Sequence, residues 1–481
     1  MTTVDEHVDR TTALGEAPLG IEQATIDHIP PDQRHGTVRG QFGFWFGAQI
    51  SIVNIPVGVL AVLFGLNIMW ALIACLVGIL LGTLFMSFHA LQGPRMGVPQ
   101  MIQTRAQFGY YGSSFLFLAT FLLCFGFMAA NLVLQAESLT ALVSGIPVPA
   151  GIIIFAIPPL VLGIWGYNWL HRYLHVMAIV LGIVFVVLSI QMIAYHATIA
   201  KAVTSTSLPA FGTFLAVVAL NAVSVLTWAP YVSDYSRYLP ENVRKGRLFF
   251  AVTGGTAIAT TLTTFVGVFL GAFLPTLSSS SIPAALKIVV GPWVLIFMGL
   301  SLIGANTTDA YTATLSLISL DSHSKWLPHN GKTRAIGVAF FTIVSTGAAL
   351  LGYHSFLNSY ENFLYVMLFL FVPWTAINLT DYYFVRRGQY DVPALFAPND
   401  LYGNFRWRGL IAYVVGLAVQ VPFLSQSLYT GPLVKYLGGA DISWIIGIVV
   451  AAGFYYGITR AEAQQESKTM VEMHIAPSPG I

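Results

Sequence analysis

Apolar runs of roughly helix-spanning length, separated by short polar intervals, fill the chain from residue 42 to residue 459. A helix needs about 20 mostly apolar residues to cross the hydrocarbon core of a bilayer. With that ruler the pattern predicts twelve transmembrane helices, at 42–66, 69–91, 113–144, 150–166, 170–196, 211–236, 248–275, 288–319, 334–353, 362–385, 409–428 and 442–459. We number these segments 1 to 12. Segment 1 is interrupted by Asn54-Ile55-Pro56 after Gly43 and Gly47, and segment 6 by Trp228-Ala229-Pro230 followed by Ser233 and Asp234. Each opens a block of five segments, 41–197 and 210–386. An odd number of crossings turns the second block upside down relative to the first. Broken helices at matching places in inverted repeats point to a site near the bilayer midplane, whereas either break taken singly also fits a proline kink.

The remaining stretches read as an N-terminal tail at 1–40, a loop at 387–408, segments 11 and 12 within 409–459, and a C-terminal tail at 460–481. Residues 1–40 carry seven acidic and three basic side chains and no apolar core of a signal peptide, so they read as a retained tail. Placing the N-terminus inside puts 19 of the 22 Lys and Arg residues on the inner side, leaving Lys201, Lys287 and Lys435 outside. That asymmetry predicts cytoplasmic termini and a multi-pass protein of the cell membrane.

Composition agrees with the pattern. Over the 481 residues hydrophobic side chains make up 56% and charged ones 9%, too few charges to coat a water-facing surface, which excludes a soluble enzyme. A net charge of +2 gives no reason to expect a nucleic-acid partner. Cys75 and Cys124 lie inside apolar runs and suggest no disulfide framework. His171 and His175 have an i, i+4 spacing that can hold a metal, but no third ligand accompanies them and no metal site is expected. With no phosphate loop and no nucleophile elbow in the chain, neither ATP-driven pumping nor catalysis is expected. A channel would need a continuous polar lining, whereas the polar groups concentrate at mid-span.

Two stretches carry a family resemblance: Gly93-Pro94-Arg95-Met96-Gly97-Val98-Pro99-Gln100-Met101 continuing through Arg105-Ala106-Gln107-Phe108-Gly109, and Trp228-Ala229-Pro230-Tyr231 running to Asp234-Tyr235-Ser236-Arg237-Tyr238-Leu239-Pro240. Both resemble the nucleobase-cation symporter family, in its purine and cytosine permease branch. The resemblance implies an all-α membrane protein with the LeuT-type five-plus-five inverted repeat and two extra C-terminal helices. It further implies alternating access, a small heterocyclic substrate and a coupling cation, with the lipid bilayer as surroundings and no cofactor. Hydantoins, allantoin, thiamine precursors and pyridoxine are alternative cargoes, and sodium is the alternative to protons.

The resemblance also implies a ring held between aromatic residues of segments 3 and 6, here Phe127 and Trp228, and amides that read its polar edges. Gln49, Asn54, Asn131 and Asn306 are the candidates, and Asp309 stands where the family usually has an amide. Physically, Phe127, Asn131 and Gln135 recur every four residues and share one helix face, a binding face or helix-to-helix glue. Stacking on an aromatic side chain is worth ~1–3 kcal/mol per base in nucleic-acid sites. Only Glu137 and Asp309 of the 20 acidic residues fall well within segments, so they are the candidates for cation coupling. An ionised Asp at a helix centre costs about 2.5–3.5 kcal/mol on insertion scales, and such a residue is functional by default. Where the family's sodium ligands on segment 8 carry hydroxyls, this chain reads Ile303-Gly304-Ala305-Asn306, which favours protons.

Overall fold

A computed structural model describes residues 27–165, 167–199, 208–273, 281–321 and 331–475. A helix occupies each of the twelve expected positions. Segment 1 folds as Val38–Gln49 and Ile55–Leu63, and segments 2 to 5 as Ile68–Ala90, Ser114–Leu142, Val148–Trp165 and Tyr167–Ile199. Segment 6 folds as Phe211–Leu226 and Val232–Ser236, and segments 7 to 10 as Lys245–Phe273, Trp293–Asp321, Gly331–Gly352 and Phe356–Thr380. Trp407–Gln420 and Ser443–Ile475 complete the order.

By length and hydropathy alone, the described helices give eight spans, or nine if the bent pair in segment 1 counts as one. The difference from twelve has a plain origin: Lys332–Val385 is one stretch covering segments 9 and 10, and Val148–Ile164 and Trp407–Phe423 are short. Four boundaries differ from expectation by five residues or more, and segment 10 begins at Phe356 rather than at residue 362. Residues 288–290 belong to a separate helix, Ile282–Val290, cut off by Gly291 at φ 109°. Segment 11 stops at Phe423 and residues 424–428 are not helical. Segment 12 runs on to Ile475, so the expected C-terminal tail begins as helix.

Both breaks lie where the sequence puts them, and the first is closed by nearby polar groups. At the first, two helices diverge by 61°. Pro56 sits in the opening turn of the second helix, where its missing N–H costs no hydrogen bond. The Asn54 side-chain amide donates to the Gln49 carbonyl at 2.8 Å, and the Tyr360 hydroxyl donates to the Val53 carbonyl at 3.1 Å. At the second break the chain passes through a 3-10 turn, Ala229–Tyr231, that contains Pro230.

The helices form two bodies. Segments 1, 2, 6 and 7 pack together, as do segments 3, 4, 8 and 9, with segment 5 lying against segments 1, 7 and 8. Glycines let the first body close tightly: Gly78 and Gly82 face the backbone of segment 6 at Val218 and Ala222, and Gly58 faces Gly267.

The loop between segments 2 and 3 folds as three short helices, Gln92–Met96, Gln100–Gln103 and Arg105–Phe108. It docks on the second half of segment 6. The Gln100 backbone N–H donates to Asp234 Oδ1 at 2.9 Å, Ser233 Oγ donates to Gln100 Oε1 at 2.6 Å, and Ser236 Oγ donates to the Ala90 carbonyl at 2.7 Å. The two stretches that carry the family resemblance therefore meet in space.

A tail segment straps over this junction. The Arg34 guanidinium donates to the carbonyls of Ile29 at 2.9 Å and Pro94 at 2.5 Å, and Arg237 Nη1 donates to the Asp27 carbonyl at 3.0 Å. The Gly36 N–H reaches the Tyr238 carbonyl at 2.8 Å. His28 lies beside Arg34, with its Nε2 3.3 Å from Arg34 Nη2. Burial, and then the charges of Arg34 and Arg237, push the His28 pKa below its ordinary value of 6.5. A histidine with a lowered folded-state pKa binds its proton less well docked than free. The strap is therefore favoured above the ordinary histidine range and weakened as pH falls through it. Hydrogen exchange over residues 27–36 should be slow at pH 8 and faster, after correction for intrinsic rates, at pH 5.5. His28→Gln should remove that pH dependence, and a pH dependence unchanged in the variant would contradict the assignment.

Candidate functional site

A cavity of about 310 Å³ lies between the two bodies, against the first half of segment 1. Its mouth is at the exposed start of that helix, beside Arg39, Gly40 and Gly43, and its inner end reaches Ile50 and Ser51 at the break. One side wall is aromatic, formed by Phe44, Trp228 and Tyr235. The opposite wall is one face of segment 8, where Ser301, Ala305, Thr308 and Asp309 recur at helical spacing. Both helix breaks thus deliver residues to one space: Ser51 from the first and Trp228 from the second.

Asp309 is the carboxylate on this wall, and no described residue donates a hydrogen bond to it or pairs with it. The hydroxyls on the same helix donate their protons to its own carbonyls and keep their oxygen lone pairs. Ser301 donates to the Met298 carbonyl at 2.8 Å, Thr307 to Ile303 at 2.7 Å and Thr308 to Gly304 at 3.0 Å. Among the described residues no group of three or more His, Cys, Asp or Glu could hold a metal ion, and the side chains of His171 and His175 lie outside the described residues.

A family model described as permease for cytosine/purines, uracil, thiamine, allantoin matches residues 28–447. The chain belongs to that family. It is 34% identical over 458 residues to a putative purine-cytosine permease, YxlA, of Bacillus subtilis, covering 93% of this chain and 98% of that one. It is 26% identical over 457 residues to the purine-cytosine permease fcyB of Emericella nidulans, covering 91% and 88%. Among solved structures the fold is similar to the inward-facing conformation of Mhp1, with a TM-score of 0.74 at 17% identity over 95% of this chain and 98% of that one. The same Mhp1, a nucleobase-cation-symport-1 family transporter in a closed conformation with bromovinylhydantoin bound, gives 0.71 at 18% identity, covering 93% and 98%. The permease therefore has the LeuT-type fold that the family resemblance implies, spans the membrane many times, and is a transporter rather than an enzyme.

Of the residues singled out in the sequence, the structure brings Trp228 and Asp309 to the cavity and leaves the others off its lining. Gln49 is buried, and its Oε1 accepts from the Thr260 hydroxyl at 3.2 Å. Asn54 is spent on closing the helix break. Phe127 packs edge-on against Phe363 at 5.2 Å and Tyr360 at 6.5 Å, so the expected pairing with Trp228 across a ring is not made here. Asn306 donates to Gln135 Oε1 at 2.8 Å, and Gln135 donates to the Gly299 carbonyl at 2.7 Å, which is the helix-to-helix glue of the alternative reading. Asn131 Oδ1 and Glu137 Oε2 are buried and accept no hydrogen bond from a described residue.

The sequence reading missed Phe44, Tyr235 and the glycine face. Tyr235 lies inside the quoted motif, and Phe44 tilts against it with ring centroids 4.1 Å apart. Gly43 and Gly47, which precede the first break, both line the cavity, and a Cβ on Gly43 would meet nothing within 4 Å. A Cβ on Gly58 would run into the backbone of Thr264, Gly267 and Val268. Thermal unfolding of purified protein should consequently separate the two positions. Gly58→Ala should lower the midpoint by several degrees while Gly43→Ala leaves it within about a degree, the sizes expected of a packing clash and of an uncrowded site. Equal losses would contradict the placement of Gly43.

Proposed function

We propose that the permease imports a nucleobase, purine or cytosine, or a related small heterocycle by symport with protons, across the cell membrane, with both termini in the cytoplasm. The observation that carries this reading is the convergence of Trp228 and Asp309 on one cavity at the breaks of an inverted repeat. A planar heterocycle offers a π-face and an edge of ring N–H and exocyclic groups. The indole of Trp228 supplies the stacking surface, and the Asp309 carboxylate accepts from the edge. The permeases of Bacillus subtilis and Emericella nidulans named above support the substrate class.

The choice of protons rests on what segment 8 offers a cation. Gly304 and Ala305 bring no side-chain oxygen where the family resemblance places hydroxyls. A hard cation is held by several oxygen ligands, whereas a proton needs one base. Asp309 is that base. It lines the cavity with no partner among the described residues, and a charge carried alone through the membrane is costly. Access in this conformation is from the end of segment 1 that bears Arg39, which the excess of inner Lys and Arg assigns to the cytoplasm.

Purified permease in liposomes should take up labelled hypoxanthine or cytosine when the outside is made acidic. Uptake should persist when choline replaces sodium and collapse when a protonophore is added. A strict sodium requirement would overturn the proton assignment, and failure to exchange any nucleobase in counterflow would overturn the substrate class.

A further inference from the structure

We infer that Trp45, held by Gln41, is a positioning residue that sets the plane of the Trp228 ring and thereby the ring size the cavity accepts. The inference rests on the reading of Trp228 as the stacking platform. Trp228 lines the cavity, and its indole N–H donates to no described residue, so neighbouring side chains alone fix its orientation. Two of these are rings. Tyr231 tilts against it at 5.4 Å and 56°, and Trp45 meets it edge-to-face at 5.9 Å and 88°.

Trp45 is fully buried and does not reach the cavity, so it touches substrate in no arrangement seen here. It also meets the second cavity aromatic, Tyr235, edge-to-face at 5.5 Å and 89°. One indole therefore backs both members of the aromatic wall that segment 6 contributes. An indole can turn about two side-chain bonds, and a buried polar amide removes that freedom. Trp45 Nε1 donates to Gln41 Oε1 at 3.1 Å, one helical turn earlier on the same face. The other end of that amide, Gln41 Nε2, donates to the Tyr235 backbone carbonyl at 3.0 Å. Gln41 thus ties the two elements together: the first half of segment 1, which carries Trp45, and the second half of segment 6, next to the platform. Both partners of the amide are satisfied, so either substitution leaves the remaining group unpaired.

The consequence is selective. A platform whose plane is no longer fixed loses overlap with its ligand, and a fused bicyclic ring has more overlap to lose than a single ring. A generally loosened fold would instead weaken both ligands alike. Binding of hypoxanthine and of cytosine should be measured on purified wild type, Trp45→Phe, Gln41→Met, Trp228→Phe and the double variant Trp45→Phe/Trp228→Phe. Each of the first two variants should weaken hypoxanthine about three- to tenfold, the range of one edge-to-face aromatic contact, and cytosine less. Trp45→Phe should add little in the Trp228→Phe background, because the pair acts as a unit. Gln41→Met keeps the side-chain length and serves where Trp45→Phe fails to fold. Additive effects, or equal weakening of both rings, would overturn the positioning role while leaving the platform intact. A Trp228→Phe variant with unchanged affinity, or a wild type that binds neither ring, would instead remove the platform and the positioning role together.

Discussion

Inside a bilayer a backbone N–H or C=O that loses its helical partner finds no water, so every break in a helix must be closed by the protein itself. The permease breaks two helices and satisfies this constraint differently at each. At the first break the Gln49 and Val53 carbonyls are taken by the Asn54 amide and the Tyr360 hydroxyl, the latter from segment 10. At the second, a 3-10 turn around Pro230 keeps the chain locally bonded while tipping Trp228 out of the helix. The cavity exists because these breaks face each other. Their closing groups also explain why polar residues gather at mid-depth without all of them facing a ligand.

The same constraint shapes the end of the molecule that carries the loop between segments 2 and 3. From Gln100 a chain of amides runs to Gln92 at 3.2 Å, on to Asn378 at 2.8 Å, to Gln107 at 3.4 Å and to Asp381 at 2.6 Å. Asp381 is fully buried, and it accepts from the hydroxyls of Tyr390 and Tyr455 at 2.7 and 2.8 Å and pairs with Arg386. Arg386 passes the chain to Glu466 at 2.9 Å, and Arg406 and Arg408 hold Glu462 beside it. The charged ends of the network thus face opposite charges or hydroxyls, the condition under which buried charge is tolerated, and Arg386 Nε is left without a partner among the described residues. Segment 12 extends past its apolar stretch because Glu462 and Glu466 have these arginines to meet. Asp309 is the contrast: a carboxylate on a cavity wall with no described partner.

Much of this was legible in the sequence, and the reasons differ by residue. The helix positions, both breaks and Asp309 follow from local signals, namely apolar run length, proline among polar residues, and the cost of a carboxylate at mid-span, whereas Trp228 follows from the family resemblance. The roles of the amides do not. Asn54 bonds a carbonyl five residues earlier, and Asn306 bonds a glutamine 171 residues away, so the residue type that predicts ligand binding equally predicts internal closure. Phe127 packs against Phe363 and Tyr360 and lies off the cavity lining, because which face of a helix meets a cavity is decided by how two helix bodies are set against each other. The aromatic wall of Phe44 and Tyr235 arises the same way, from the pairing of half-helices that sequence spacing does not encode.

We propose Asp309 as the group that links substrate to proton movement, and one substitution tests that role directly. Asp309→Asn keeps the shape of the side chain and removes its ability to ionise. In liposomes under an inward proton gradient the variant should retain counterflow of a labelled nucleobase at a reduced rate and fail to accumulate it above the external concentration. Accumulation by the variant at the wild-type ratio would show that the coupling base lies elsewhere.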